Sequence, residues 1–179
     1  MNIIEYLNKV GDLCNFSLTA SGTEGDVPLI YVNKHFAELT GYSKEQVIGK
    51  NCRLLQGSKS QKEHSLALRS CIETGEATFQ DIANYRKDGT SFVNRVVMLP
   101  MKGWDGNSYI VGIQNLVSED IDNHQFLGLK DLKLSPKDLH HHIRNPLAMI
   151  SAELSHRTQE GIERVVDFLA NIDRYACEQ

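Results

Sequence analysis

Two Asp-Gly dipeptides, Asp88-Gly89 and Asp105-Gly106, each fall between strand-like segments, and they constrain the fold more than any other feature of the chain. An Asp-Gly pair readily supplies the positive φ that a tight hairpin turn demands. The segments at roughly 77–87, 90–101 and 107–117 are therefore predicted to form three consecutive antiparallel strands, with turns at Lys87-Asp88-Gly89 and Trp104-Asp105-Gly106. Upstream, Phe16-Ser17-Leu18-Thr19 and Leu29-Ile30-Tyr31-Val32 read as two further strands around the breaker-rich stretch 21–26. Between this pair and the meander lie short helical pieces at 33–39 and 43–47, separated by Gly41, and a longer helical pattern over 60–73. That order describes an α+β domain with one antiparallel sheet, covering residues 15–118. Ile3, Ile4, Leu7, Val10 and Leu13 recur at helical spacing and add a short amphipathic helix within residues 1–14.

The composition changes after Ser118-Glu119-Asp120, and residues 119–179 carry helical patterns without strands. Ser135-Pro136-Lys137-Asp138 has the make-up of a helix start, with a Ser N-cap, Pro in the first turn and an acid at N3. Leu139, Ile143, Leu147, Ile150 and Leu154 form one apolar stripe; past Gly161, Ile162, Val165, Val166, Leu169 and Ile172 form a second. A helical hairpin this short buries too little surface to stand alone. Its stripes are expected to pack on the sheet or on a second copy, and a homodimer is the preferred reading.

The remaining bulk features exclude rather than identify. The formal net charge of −4, without a basic cluster interleaved with aromatics, gives no reason to expect nucleic-acid binding. Charges interrupt every apolar run, so no membrane span is expected, and the N-terminus lacks the pattern of a signal peptide. The expected location is cytoplasmic. The four cysteines, Cys14, Cys52, Cys71 and Cys177, show no CxxC pair and no metal-like spacing, so no metal site is expected. In a reducing compartment they are free thiols.

One segment carries chemistry: Gly49-Lys50-Asn51-Cys52-Arg53-Leu54-Leu55-Gln56. It sets a thiol between an amide and a guanidinium, with a second amide four residues on, which on an α-helix would share the face of Cys52. Amides match the donor and acceptor edge of a pyrimidine-like ring, and an arginine grips phosphate bidentately. The set suits a planar, polar, phosphorylated ligand. The other cysteines read as small buried apolar residues. Taken alone, Asn84 and Asn94 would pass as edge or turn residues, and Arg69 as a solvated helix residue.

The octapeptide resembles the GxNCRFLQ signature of the LOV (light-oxygen-voltage) family, the flavin-binding branch of the PAS fold, with Leu54 where the family commonly has Phe. Val32-Asn33 through Leu39-Thr40-Gly41-Tyr42, then Asn84 to Thr90, Phe92 to Asn94, and Gly112-Ile113-Gln114 resemble further family segments in the expected order. The resemblance covers about residues 15–117. It implies a PAS/LOV fold and a blue-light photoreceptor that binds FMN and is not itself an enzyme. Cys52 would add to the flavin C4a carbon after excitation, and Asn84 and Asn94 would hydrogen-bond the pyrimidine edge. Gln114 would switch its hydrogen bonding at N5, Asn51 and Gln56 would contact the ring and ribityl side, and Arg53 and Arg69 would hold the phosphate. Leu54 is expected to alter the adduct lifetime without abolishing the adduct.

His141-His142-Ile143-Arg144-Asn145-Pro146-Leu147 resembles the H-box of sensor histidine kinases, with His141 matching the phosphoacceptor. His142 replaces the usual acid, which helps position the imidazole, and no glycine-rich nucleotide site accompanies the segment within these 179 residues. The preferred reading is a dimerisation and signalling element that acts through a change in dimer or partner contacts. The alternative is a phosphorelay protein with His141 phosphorylated in trans. A metal site at His140, His141 and His142 is disfavoured, because successive helical residues point about 100° apart.

Overall fold

The computed structural model describes residues 3–11, 13–103, 105–132 and 134–139, together with residues 163, 164 and 167. Most of the predicted C-terminal hairpin, including His140, His141 and His142, lies outside the described residues, as do Trp104 and Cys177. The chain begins with α1 (Ile3–Gly11), followed by the strands β1 (Ser17–Gly22) and β2 (Leu29–Val32). Two short helices, α2 (Lys34–Thr40) and α3 (Lys44–Val47), lead to a 3-10 turn at Cys52–Leu55 and then α4 (Lys62–Thr74). The meander follows as β3 (Thr78–Tyr85), β4 (Ser91–Lys102) and β5 (Ser108–Ser118). These form one five-stranded antiparallel sheet in the order β2-β1-β5-β4-β3 among the described residues. The α+β class and the strand order along the chain agree with the sequence reading.

Local chemistry explains the punctuation. In the β3–β4 turn, Asp88 Oδ1 accepts from the Thr90 amide at 2.9 Å, and Gly89 takes φ 88°. In the β4–β5 turn, Asp105 Oδ1 accepts from the Asn107 amide at 3.0 Å, and Gly106 takes φ 81°. Asn33 caps α2 by accepting from the Phe36 amide at 3.2 Å. The same Oδ1 accepts from the Leu18 amide at 2.9 Å, and its Nδ2 donates to Phe16 O at 2.9 Å, so one side chain ties the start of β1 to the start of α2.

The sheet's two faces differ in character. On one, Phe16, Leu18, Ala20, Phe79, Val97, Leu99, Val111 and Ile113 form an apolar core with Ile3, Tyr6 and Leu7 of α1 and with Leu132 and Leu139. The other face, on the side of α2, α3 and the 3-10 turn, is buried yet polar: Ser17, Thr19, Asn84, Asn94 and Gln114 all lie below a tenth exposed.

Residues 119–132 differ from the helical pattern expected of them. After bends at 119 and 121–123, this connector reaches β3 near residue 127, with an Asp81 amide donating to Leu127 O at 2.6 Å, a bridge between Gln80 and Gly128, and a 3-10 turn at Leu129–Asp131. Asp81, with 0% exposure, anchors it. Its carboxylate accepts from Arg95 Nε at 2.8 Å and Arg95 Nη2 at 3.0 Å, and His124 Nε2 lies 3.3 Å from Oδ2. Unsatisfied backbone is met by β3 here, so an extended path is the one that pairs. A helix starts at residue 136, where the Asp138 amide donates to Ser135 Oγ and the Ser135 amide to Asp138 Oδ2, a reciprocal cap.

A buried ion pair that loses one partner leaves the other charge uncompensated. Asp81→Ala is therefore expected to cost roughly 3–5 kcal/mol in urea unfolding. The double variant Asp81→Ala with Arg95→Met should cost less than Asp81→Ala alone. A double variant as unstable as the sum of its parts would contradict the account.

Candidate functional site

The buried polar face is built by strand register. Asn94 opposes Ile82 on β3, and Asn84 stands two residues on from Ile82, so both amides project from the same face. Gln114 opposes Val96 on β4, which places it on that face beside Asn94, and Ser17 of β1 opposes Gln114 from the other side. Gly112, two residues before Gln114, keeps the face open, since a Cβ there would stand 2.5 Å from Thr19 Oγ1.

The side chains form a chain of hydrogen bonds. Asn94 Nδ2 donates to Asn84 Oδ1 at 2.8 Å and to Gln114 Oε1 at 2.9 Å. Gln114 Nε2 donates to Cys52 Sγ at 3.7 Å. Cys52, in the opening turn of the 3-10 segment, thus meets amides from β3, β4 and β5 in one connected network. Leu29, Val32, Phe36, Val47 and Leu55 form an apolar cluster beside it, with Cys52 and Leu54 packed against them. Burial pushes the Cys52 thiol up to about 11, opposed by the hydrogen bond from Gln114. The residue is half-buried, and the raised value keeps the thiol protonated at neutral pH.

Two buried side-chain atoms among the described residues have no hydrogen-bond partner, Ser17 Oγ and Asn94 Oδ1. Orphaned polar atoms at such depth are costly, of order 1–3 kcal/mol each. Both stand around Gln114.

The remaining sequence-predicted residues do not join this network. The 3-10 geometry corrects the expectation that Cys52 and Gln56 share a helical face: Gln56 is the extended C-cap, and its Oε1 accepts from Ser65 Oγ at 3.3 Å. A 3-10 turn repeats every three residues, so i and i+4 diverge. Asn51 caps the turn, accepting from the Arg53 amide at 2.8 Å and donating to Asp26 O at 2.5 Å. Arg53 pairs with the Asp26 carboxylate, Nη1 to Oδ1 at 2.7 Å. Arg69 lies on the outer side of α4, its side chain 75% exposed and 3.4 Å from Glu73. Cys14 and Cys71 are buried thiols pushed up to about 12, in keeping with a packing role. Among the described residues no group of His, Cys, Asp and Glu could hold a metal ion, and no helix is long and apolar enough to cross a membrane.

Sequence reasoning missed Ser17 and Asp26. The β1–β5 register that brings Ser17 to Gln114 is non-local and leaves no mark in either segment.

The profile of the family described as "PAS domain" matches residues 17–122. The solved LOV domain of an Erythrobacter litoralis blue-light-activated histidine kinase superposes with a TM-score of 0.55 at 41% identity, covering 58% of this chain and 97% of that one. Blue-light-activated histidine kinase 2 of Erythrobacter litoralis is 39% identical over 137 residues, covering 75% of this chain and 39% of that protein. The blue-light photoreceptor of Listeria monocytogenes is 40% identical over 97 residues, covering 54% of this chain and 38% of that protein. The chain belongs to the PAS family, within which its likeness places it in the LOV branch. It spans about two fifths of the length of these curated relatives.

A thiol held at about 11 reacts slowly as a thiolate nucleophile near neutrality. Iodoacetamide at pH 8 should alkylate Cys52 at least about ten-fold more slowly in the folded protein than in urea, as read by peptide mass spectrometry. Equal rates would show an exposed or activated thiol.

Proposed function

We propose that this protein is a blue-light receptor that holds FMN against the polar face of the sheet and detects light through a reversible bond between Cys52 and the flavin C4a carbon. The observation that carries the reading is the connected set Asn84, Asn94, Gln114 and Cys52, with Asn94 Oδ1 buried and unpaired. A flavin's pyrimidine edge offers an imide N–H to such an acceptor and carbonyl oxygens to the amide donors. The donor set therefore fits the group. The blue-light names of the relatives support the same reading.

The flavin supplies the absorption of blue light and the energy of the excited state. Cys52 would supply both the sulfur for C4a and, from its own S–H, the proton for N5. A thiol kept protonated in the dark brings that proton with it, so no separate base is required. Asn84 and Asn94 would hold the pyrimidine edge, and Gln114 would stand near N5, where a half-turn of its amide exchanges acceptor for donor. Asn51 and Gln56 would contact the ring and ribityl side, each giving up its present partner, the Asp26 carbonyl or Ser65. Arg53 and Arg69 take the phosphate, each exchanging its present carboxylate, Asp26 or Glu73, for the ligand. Output passes through the sheet to the apolar core on its far face, where α1, Leu127, Leu129, Leu132, Leu134 and Leu139 pack, and from there to contacts with a second copy or a partner.

An absorption spectrum before and after blue light tests the reading. Purified protein should show a flavin band that bleaches on illumination and recovers in the dark, and Cys52→Ala should retain the flavin without this reversible bleaching. Identical bleaching in the variant would overturn the role of Cys52. Arg53→Ala should weaken FMN about ten- to hundred-fold while leaving riboflavin nearly unchanged, the size of a lost charge-assisted contact, measured by fluorescence titration. Equal loss for both flavins would remove Arg53 from the phosphate.

A further inference from the structure

Gln114 occupies one orientation in this structure, with its carbonyl toward Asn94 Nδ2 and its amide nitrogen toward Cys52 Sγ. Turning the amide over presents the NH2 to Asn94 Nδ2, donor against donor. The turned orientation therefore needs an acceptor that the Asn94 nitrogen does not supply. Ser17 is 3% exposed, and its hydroxyl is without a hydrogen-bond partner. It stands directly opposite Gln114 in the β1–β5 ladder, on the same face. Cross-strand neighbours hold their Cβ atoms about 4.5–5.5 Å apart, within reach of a glutamine amide. Phe16 and Leu18, its chain neighbours, point into the apolar core on the other face, so the alternation of the strand fixes the serine toward the site.

We propose that Ser17 is a positioning residue for Gln114, its hydroxyl partnering the amide in the turned orientation. A hydroxyl accepts and donates, so one side chain serves whichever end of the amide it meets. The buried orphan then has a use: it lacks a partner in one orientation of Gln114 and gains one in the other. The inference rests on the photoreceptor reading, because turning of Gln114 is coupled there to illumination.

The test compares wild type, Ser17→Ala, Ser17→Thr and Ser17→Val. Threonine and valine have nearly the same shape, so a difference between them isolates the hydroxyl from bulk. Dark recovery after illumination is expected to be about five-fold faster in the alanine and valine proteins, the factor one net hydrogen bond supplies, and close to wild type relative to valine in the threonine protein. A second readout is the side-chain amide resonance of Gln114 in protein labelled at glutamine. The light-induced shift of its protons should be kept in wild type and Ser17→Thr and reduced in Ser17→Ala and Ser17→Val. Equal recovery and equal shifts for threonine and valine would sink the proposal while leaving the receptor reading intact. A wild-type protein that binds flavin and does not bleach would remove both.

Discussion

Pairing between β1 and β5 is the interaction on which the site depends. The two strands come from opposite ends of the domain, and their ladder runs from Ser17 opposite Gln114 to Gly22 opposite Tyr109. It joins the N-terminal hairpin to the C-terminal meander and places the helices that follow β2 over one face only. Without it, β3, β4 and β5 would still form a meander, but Cys52 would have no fixed relation to Gln114. Because side chains alternate along a strand, a slip of one residue would turn Ser17 away and bring Leu18 to the polar face.

The sheet then separates two tasks by its faces. The face with α1 and the connector holds the apolar core and, at its β3 side, the buried Asp81–Arg95 pair, whereas the face toward α2, α3 and the 3-10 turn buries serine, threonine, asparagine and glutamine. A sheet face chosen only for stability would not bury so many polar groups, since each demands a partner. The network satisfies most of them, and the two atoms it leaves over stand beside the group best able to change its bonding. The stability of the polar face and its chemistry therefore make opposing demands, and the apolar face offsets the difference.

What was legible in the sequence was local. Asp88-Gly89 and Asp105-Gly106 announced the meander because turn geometry is set by the turn residues themselves. Ser135 and Asp138 announced a helix start for the same reason, and the structure shows their reciprocal cap. The octapeptide singled out Cys52, and Asn84, Asn94 and Gln114 were placed beside it through family resemblance. What was not legible was set by partners far along the chain. Residues 119–132, read as part of a helical extension, instead run beside β3, because β3 offers backbone partners at Gly128 and Leu127 and Asp81 an anchor. Asp26 at Arg53 and Ser17 at Gln114 likewise depend on pairings that neither segment encodes alone. Asn51 caps the 3-10 turn Cys52–Leu55, whose three-residue repeat moves Gln56 off the face of Cys52.

The position of Cys52 settles what kind of thiol it is. A cysteine used as a resting nucleophile sits where a cation or a helix N-terminus lowers its pKa. Here burial raises it, and the group nearest its sulfur is a neutral amide that lowers it only in part. Arg53, the adjacent cation in sequence, directs its guanidinium to Asp26 instead. Burial thus favours an intact S–H at neutral pH, which in the proposed receptor would carry the proton that the ring needs. Under the proposed receptor reading such a group would gain reactivity only on illumination, and an unreactive dark state would let a light signal stand out against no signal.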